Sequence, residues 1–223
     1  MTETTQSSKQ LMSSYEDKIH EGVYGNYTIT TADRVEVQRY RMAVMLCGVS
    51  FTAGISQWIL TGPNWAGIWL LPMAVGLGLA LNWIHIYLRP LHRALQIFWG
   101  LGCIGILILQ ILVGPENILT QLSRNHILTL AIGPFFAALT GLGFKEFFCF
   151  RRPEAIGLTL LIPIALLGHL SGLIKGEIVL SMLSFAAFLL LILAIRKFGT
   201  DPSADIGDKS VFEYLNTKEI ANA

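Results

Sequence analysis

Six long apolar runs constrain this sequence more than any other feature. They cover residues 42–60, 65–87, 94–113, 127–144, 155–174 and 178–195. None of the runs contains Asp, Glu, Lys or Arg, and each is close to the roughly 20 apolar residues that a helix needs to cross a bilayer. Because backbone amides in lipid must find their hydrogen-bond partners within the segment, each run is predicted to be a helix. The predicted fold class is therefore all-α: a polytopic membrane protein with a bundle of six transmembrane helices.

The composition favours the same class. Of the 223 residues, 53% are hydrophobic and only 14% are charged, whereas soluble domains carry about 25% charged residues. The formal net charge is +1, so the chain as a whole favours no charged partner and no nucleic acid. This composition excludes a disordered chain, a nucleic-acid-binding domain and an ordinary soluble enzyme.

Lysine and arginine residues near the ends of the runs predict the orientation. Ten of them lie on one side: Arg34, Arg39, Arg41, Arg89, Arg93, Lys145, Arg151, Arg152, Arg196 and Lys197. Only Arg124 and Lys175 lie on the other side. Because cytoplasmic loops are enriched in these two residue types, both termini are predicted to be cytoplasmic or stromal. We call that side the inner side and the opposite side the outer side.

The runs divide the chain into three parts. Residues 1–41 form a polar head, of which 1–20 are predicted to be mobile; residues 42–195 form the transmembrane domain, and residues 196–223 form a polar tail. This organisation places the polar head and the polar tail on the same, inner side.

The head and the tail each contain a stretch that is expected to be ordered. Residues 22–31 are rich in Val, Tyr, Ile and Thr and are predicted to form a short extended piece. Thr31 is the predicted N-cap of the helix that follows. The tail segment 205–215 is predicted to form a short amphipathic helix, with Asp208 or Ser210 as its cap.

Polar residues at the inner ends of the runs form the first candidate site. They are His85, Arg89, His92, Arg93, Lys145, Glu146, Arg151 and Arg152. Adjacent residues on a helix point about 100° apart, so Lys145 and Glu146 are predicted not to pair with each other. Glu146 is expected to pair with Arg89 or Arg93 of the other inner loop. A surface formed by these two loops is the predicted docking face for a partner.

The histidines are the candidate cofactor ligands. His85 is interpreted either as a ligand for haem or chlorophyll or a proton-relay group, or as an interfacial residue bonded to a carbonyl or a lipid headgroup. His169, near the outer end of the fifth run, is interpreted as a hydrogen-bonding residue between helices, with Gln57 and Gln110 as candidate partners. No cofactor is predicted, and chlorophyll or haem at His85 or His169 is the alternative. Because zinc-ligand spacing and the common catalytic motifs are absent from the sequence, no metal site and no catalytic residue is predicted.

Small residues predict where helices pack closely. A stripe with a period of four is formed by Gly133, Ala137 and Gly141, and is expected to face another helix. Gly100, Gly102 and Gly105 spell GxGxxG, which marks a dinucleotide site when it follows a β-strand. Here the pattern lies inside a membrane run, so it is interpreted as a helix-packing face.

Several stretches in order along the chain have a family resemblance. They are YGNYTITTADRVEVQRYR, IHIYLRPLHRALQIFW, FFAALTGLGFKEFFCF, LLGHLSGL and DIGDKSVFEYL. Together they resemble a family of integral membrane proteins of cyanobacteria and plastids that carries a domain-of-unknown-function label, over roughly residues 22–215. The resemblance implies a multi-span protein of a photosynthetic organism with no established activity, and it carries over no catalytic residue.

Three classes of function are consistent with the sequence. The first is a non-enzymatic factor that assembles, stabilises or scaffolds other components of a thylakoid or plasma membrane, with the bilayer and other membrane-protein complexes as partners of its inner face. The second is a small-solute carrier or channel, which predicts a polar cavity near the middle of the membrane. The third is an enzyme or pigment-binding protein that uses His85 or His169, which predicts clustered titratable groups. A scaffold predicts neither feature and should co-purify with partners.

The orientation can be tested with reporter fusions. Fusions after Leu60, Val113 and Ile174 should report the outer side, and a fusion at the C-terminus should report the cytoplasm, because of the bias in Lys and Arg. A C-terminal fusion that reports the outer side would contradict the predicted topology.

Overall fold

The structure is a computed structural model and describes residues 19–86, 88–211, 214, 215 and 217. Within these residues the chain forms one β-hairpin and eight α-helices. In the hairpin, β1 (Ile19–Gly22) pairs antiparallel with β2 (Gly25–Thr28). The helices are α1 (Thr31–Thr61), α2 (Leu70–Trp83), α3 (Arg89–Val113), α4 (Ile118–Arg124), α5 (Thr129–Phe150), α6 (Pro153–Leu170), α7 (Gly176–Lys197) and α8 (Pro202–Ile206).

Six helical segments of the described chain are long and apolar enough to cross a membrane. They are α1, α2 with the 3-10 turn Ala66–Trp69 before it, α3, α5 with the 3-10 turn His126–Leu128 before it, α6 and α7. Each overlaps one of the charge-free runs, although the second and fifth runs extend beyond the helix ends at Trp83 and Leu170. The predicted all-α fold with six spans is thereby confirmed.

Proline and threonine residues set two of the helix boundaries. Helix α2 ends at Trp83, earlier than the end of the apolar run, and Pro90 lies in the first turn of α3, where its missing N–H leaves no helical hydrogen bond unmade. At the start of α1 the cap is Thr30 and not Thr31. The Thr30 hydroxyl accepts from the Asp33 N–H at 3.3 Å, and the Thr30 N–H donates to the Asp33 carboxylate at 2.7 Å.

The connection between α3 and α5 on the outer side contains a short helix that the sequence analysis did not predict. Helix α4 buries Ile118 and Leu122, which are four residues apart and therefore lie on one face. The rest of this short helix is largely polar. The burial of that single apolar face explains why the segment is helical.

Helices α3 and α5 approach each other closely at two glycines. A Cβ atom at Gly102 would collide with the backbone of Phe135, and one at Gly105 would collide with the carbonyl group of Ala131. Gly100, in contrast, faces open space. The interpretation of this pattern as a packing face is confirmed for Gly102 and Gly105.

The predicted packing stripe on α5 is wrong for two of its three residues. Gly133 faces open space and Ala137 is exposed, whereas Gly141 packs against a leucine side chain of α3. The residues of α5 that meet the α3 glycines are Ala131 and Phe135. They precede Gly133 and Ala137 by two positions, which is about 200° of rotation around a helix, so the first two residues of the stripe point away from α3.

Helix α1 contacts three other helices. A Cβ atom on Gly76 of α2 would lie 2.8 Å from the backbone nitrogen of Cys47. The Phe51 ring lies 5.7 Å from the Phe136 ring of α5, and a Cβ atom on Gly48 would lie 3.4 Å from the backbone of α7. These contacts, together with the packing of α5 against α6 and of α6 against α7, position the inner helix ends.

The described residues of the polar head and of the polar tail form one compact unit. It joins the described residues up to Arg39 with those from Thr200 onward. Ile29, Val37 and Ile206 form its small apolar core. Lys209 contributes an ion pair to Asp33, with Nζ 2.8 Å from the carboxylate oxygen.

Asp208 links the hairpin to the tail within this unit. Its carboxylate accepts hydrogen bonds from the Ser210 hydroxyl and from the Val23 N–H, at 2.6 and 2.7 Å. These bonds hold the pKa of Asp208 below its usual value. Its Oδ1 also accepts from the Ser210 N–H at 2.9 Å, so Asp208 caps the helical residues 209–211.

Two sequence predictions for the head need adjustment. The extended piece predicted at residues 22–31 is a hairpin that begins at Ile19 and ends at Thr28. Of the segment 1–20 that was predicted to be mobile, only Ile19 and His20 are described, and both belong to β1. Residues 1–18 lie outside the described part of the chain.

The close approach of α3 and α5 predicts a difference between glycines of one helix. Gly105→Ala should destabilise the protein by about 1–3 kcal/mol, because the carbonyl group of Ala131 is backbone and cannot move aside alone. Gly100→Ala is the matched control and should be neutral or stabilising by up to about 1 kcal/mol, since alanine favours helix. Thermal unfolding in detergent measures both, and equal effects would contradict this packing.

Candidate functional site

A buried carboxylate at the inner end of α5 is the centre of the candidate site. Glu146 is fully buried. Nζ of Lys197 lies 2.8 Å from its Oε2, Nζ of Lys145 lies 3.3 Å from its Oε1, and the Tyr40 hydroxyl donates to Oε1 at 2.6 Å. Because these groups belong to α1, α5 and α7, they join three helix ends. We call Tyr40, Lys145, Glu146, Phe150 and Lys197 the inner charge cluster.

Two aromatic rings hold the ammonium groups of the cluster. Nζ of Lys197 lies 4.8 Å from the centre of the Tyr40 ring and 4.9 Å from that of Phe150. Nζ of Lys145 lies 5.2 Å from the centres of the same two rings. The faces of aromatic rings attract cations, most strongly when the cation is shielded from water. Each lysine is therefore stabilised by the carboxylate and by both rings.

The sequence prediction for the partner of Glu146 is wrong. Glu146 pairs with lysines, one of them its own neighbour, and not with Arg89 or Arg93. The Cα–Cβ bonds of adjacent helix residues do point in different directions. The long, flexible side chain of Lys145 nevertheless turns back, so that its Nζ reaches the Glu146 carboxylate. The polar centre formed by Lys197 and Tyr40 makes this arrangement favourable.

A second buried carboxylate lies at the start of α6. Glu154 is 5% exposed, and both its oxygens accept hydrogen bonds from Nη1 of Arg196 at 2.9 Å. The guanidinium carbon of Arg152 lies 5.7 Å from the Phe150 ring, and its Nη1 lies 3.9 Å from Glu154. This pair therefore adjoins the inner charge cluster and joins α6 to α7.

The turn between α5 and α6 exposes an arginine. Arg151 has a φ of 51°, in the left-handed region, and its N–H donates to the carbonyl of Phe147 at 2.7 Å. This conformation ends α5, and Pro153 starts α6. Arg151 is exposed, whereas its neighbour Arg152 is buried.

The other predicted inner residues lie around the connection between α2 and α3. Nε2 of His92 lies 2.6 Å from the carbonyl oxygen of Leu81, and the Gln96 amide nitrogen lies 3.3 Å from that ring nitrogen. His85 is half-buried in the non-helical residues 84–86, while Arg93 is exposed. His92 thus contacts a backbone carbonyl of α2.

His169 lies at the outer end, beside a second histidine. Its Nε2 lies 2.9 Å from the carbonyl oxygen of Leu122, so this nitrogen carries a proton, and its Nδ1 lies 3.3 Å from Nδ1 of His126. Both ring nitrogens thus have partners. Coordination of a haem or chlorophyll metal by His169 would require one of these contacts to break.

The predicted glutamine partners of His169 are wrong. Gln57 accepts a hydrogen bond from the indole N–H of Trp69 at 2.8 Å, which joins α1 to the turn before α2. Gln110 is half-buried in α3 and does not contact His169. The nearby outer connection supplies closer groups, namely the carbonyl of Leu122 and the ring of His126.

A mainly apolar cavity of about 290 Å³ adjoins His169. Its lining includes Phe51, Met73, Thr129, Phe136, His169 and Leu183. These residues come from α1, α2, α5, α6 and α7, and the cavity extends from the outer side to Phe51 and Phe136 near the middle of their apolar runs. No group of three His, Cys, Asp or Glu side chains suited to a metal ion occurs among the described residues.

Sequence reasoning missed six residues of these sites: Tyr40, His126, Phe150, Glu154, Arg196 and Lys197. All except Phe150 lie within two residues of an apolar run, where charged and polar residues were assigned to solvent or lipid headgroups. The helices continue past the runs, since α1 includes Tyr40 and α7 ends at Lys197. For Tyr40 and Lys197 the sequence offered one signal: each lies within one helical turn of an apolar run, close enough to belong to the same helix.

The inner charge cluster predicts an unequal response to two Glu→Gln changes. Glu146→Gln should destabilise the protein by about 3–5 kcal/mol, because it leaves two buried ammonium groups without their carboxylate. Glu177→Gln at the exposed start of α7 is the control and should change stability by less than about 0.5 kcal/mol. Unfolding in detergent compares them, and a neutral Glu146→Gln would show that the cluster does not hold the helix ends.

Comparisons with known proteins identify the family of this architecture. Residues 79–214 match the family described as "Uncharacterized integral membrane protein (DUF2301)". An uncharacterised protein of Haemophilus influenzae is 32% identical over 131 residues, a match that covers 58% of this chain and 66% of that relative. The chain thus spans just under two thirds of that relative's length, and the relative shows that similar proteins are not limited to cyanobacteria and plastids. No solved structure matches the chain. The family match covers more than half of the sequence, and the chain belongs to this family of integral membrane proteins.

Proposed function

We propose that the chain is a non-enzymatic membrane protein that assembles with, or stabilises, other membrane components through its inner face. The inner charge cluster supports a structural role for its titratable groups. Glu146 is bound by two ammonium groups and one hydroxyl, so its carboxylate is committed to ion pairs. The cluster of titratable groups that an enzyme would require is present, but its geometry suits the fixing of helix ends.

The observation that carries the proposal is the position of Arg196. Its side chain is 57% exposed, yet it is held by Glu154, whose side chain is only 4% exposed. Nη1 makes both hydrogen bonds to that carboxylate, so the N–H groups of Nη2 and Nε are not used in this ion pair. A pre-oriented arginine of this kind suits bidentate binding of a carboxylate on an acidic partner segment.

Two further exposed arginines support an acidic partner. Arg151 at the turn between α5 and α6 and Arg93 in α3 are exposed on the same predicted side. Cations in these positions also bind anionic lipid headgroups. The two roles differ in their dependence on shape, because a lipid surface responds to charge whereas a bidentate contact requires the guanidinium group.

The proposal is tested by recovery of partners from native membranes. Tagged wild-type protein, Arg196→Lys and Arg124→Lys are purified in mild detergent, and co-purified proteins are identified by mass spectrometry. Arg196→Lys should lower the recovery of at least one membrane protein several-fold at equal insertion, because lysine keeps the charge but loses the fork. Arg124 is exposed at the C-terminal end of α4, on the outer side. Arg124→Lys should therefore leave the recovery unchanged. Unchanged recovery with Arg196→Lys would overturn the partner role and leave lipid anchoring.

The photosynthetic location is also part of this proposal. The support is the resemblance of several sequence blocks to proteins of cyanobacteria and plastids. The expected site is the thylakoid or plasma membrane of such a cell. Separation of the two membranes from the source cell, followed by immunodetection, tests this, and absence from both would overturn it.

A further inference from the structure

We infer that His126 and His169 are two ligands of a tetrahedral Zn²⁺ site on the outer side of the molecule, with water completing the coordination. The inference goes beyond the proposed partner role, which concerns the inner ends of the helices. It rests on the distance between two ring nitrogens, on the tautomer of His169 and on the exposure of His126.

The fold brings together two histidines that are 43 residues apart in the chain. His126 starts the 3-10 turn between α4 and α5, and His169 lies in the last turn of α6. The Asn125 side chain accepts a hydrogen bond from the Ile127 N–H at 3.2 Å, which fixes the start of that turn. The pair has no short sequence spacing, so only the tertiary structure reveals it.

The Leu122 carbonyl selects the tautomer of His169. Nε2 of His169 lies 2.9 Å from that carbonyl oxygen and therefore carries the proton of the neutral ring. Nδ1 of His169 then has a lone pair, and this is the nitrogen that faces His126. Histidines that bind metal ions donate their other ring N–H in the same way, which fixes the ring and raises the basicity of the ligating nitrogen.

The distance between the two rings matches a tetrahedral ion. Nδ1 of His126 and Nδ1 of His169 are 3.3 Å apart. Two nitrogens that each lie about 2.0–2.1 Å from one tetrahedral Zn²⁺ ion are about 3.3–3.4 Å apart. In square-planar or octahedral coordination, adjacent nitrogens with the same bond length are only about 2.9 Å apart. The observed separation therefore favours tetrahedral geometry, which Zn²⁺ prefers in proteins.

The exposure of His126 gives an ion access to the pair. His126 is exposed, whereas His169 is 7% exposed. Without metal, the Nδ1–H of His126 donates to Nδ1 of His169, because the latter is the acceptor. Transfer of this proton through water to Nε2 of His126 leaves both Nδ1 lone pairs available to one cation. The rings are inclined at 64°, and the exposed His126 ring can turn to direct its lone pair to the ion.

Water supplies the remaining ligands. No third His, Cys, Asp or Glu side chain of the described residues forms a metal-binding group with these two. Zn²⁺ sites with an open coordination position hold water there. Imidazole nitrogen suits Zn²⁺, whereas Mg²⁺ and Ca²⁺ prefer oxygen ligands. The pair therefore selects a transition-metal ion over the hard divalent cations.

The test uses Co²⁺, whose visible absorption bands are strong in tetrahedral coordination and weak in octahedral coordination. The full chain is purified in detergent without a polyhistidine tag, freed of metal with a chelator and titrated with Co²⁺. Wild type should develop the strong bands in a saturable titration. Zn²⁺ should displace Co²⁺ and abolish the bands, whereas Mg²⁺ should leave them unchanged.

His126→Asn is the informative variant, because His126 is exposed and its replacement leaves the buried core intact. It should lower the affinity for Co²⁺ by at least about 10- to 100-fold, the loss that follows removal of only the outer hydrogen-bond partner of a ligand. His20→Asn, in β1, is the control and should retain the wild-type titration. Zn²⁺ should also raise the unfolding temperature of wild type but not that of His126→Asn.

Four results would overturn the inference. They are the lack of saturable Co²⁺ binding, weak bands of octahedral type, equal affinity in wild type and His126→Asn, and a thiolate-to-Co²⁺ charge-transfer band in the near ultraviolet. The last result would place the ion at one of the free cysteines, Cys47, Cys103 and Cys149.

Discussion

The ion pair between Glu146 and Lys197 joins helices that otherwise meet mainly through apolar contacts. Glu146 and Lys197 are fully buried, 2.8 Å apart, and belong to α5 and α7. The Tyr40 hydroxyl donates a hydrogen bond to Glu146 and so connects α1 to this ion pair. Lipid tails are as apolar as leucine side chains, so burial of apolar surface does little to select one arrangement of spans over another. A buried charge is costly without its partner, and this cost makes the arrangement specific.

Close backbone contact supplies the second element of specificity. Gly102 and Gly105 allow α3 to approach α5, and Gly76 allows α2 to approach α1. In the absence of a strong hydrophobic force between spans, such approach increases the van der Waals contact on which association depends. Helix α5 takes part in both elements, because it receives Gly102 and Gly105 of α3 and also carries Glu146 of the inner charge cluster.

The two ends of the helices differ in their chemistry. The inner ends contain Glu146 and Glu154, each paired with cations. The outer ends contain neutral polar groups, among them His169 and Thr129, around an apolar cavity. Charged groups at the inner ends suit contact with other charged surfaces, as the proposed partner role requires.

The sequence alone determined the number of spans, their approximate limits and the membrane class. This is possible because lipid excludes charge and requires each backbone segment to satisfy its own hydrogen bonds. Only the tertiary structure decided that Glu146 pairs with Lys145 and Lys197, that Gly133 faces away from α3, and that head and tail form one unit. These features depend on the rotation of each helix about its axis and on contacts between residues far apart in the chain. A local pattern such as a four-residue period specifies a helix face but not the neighbour that covers it.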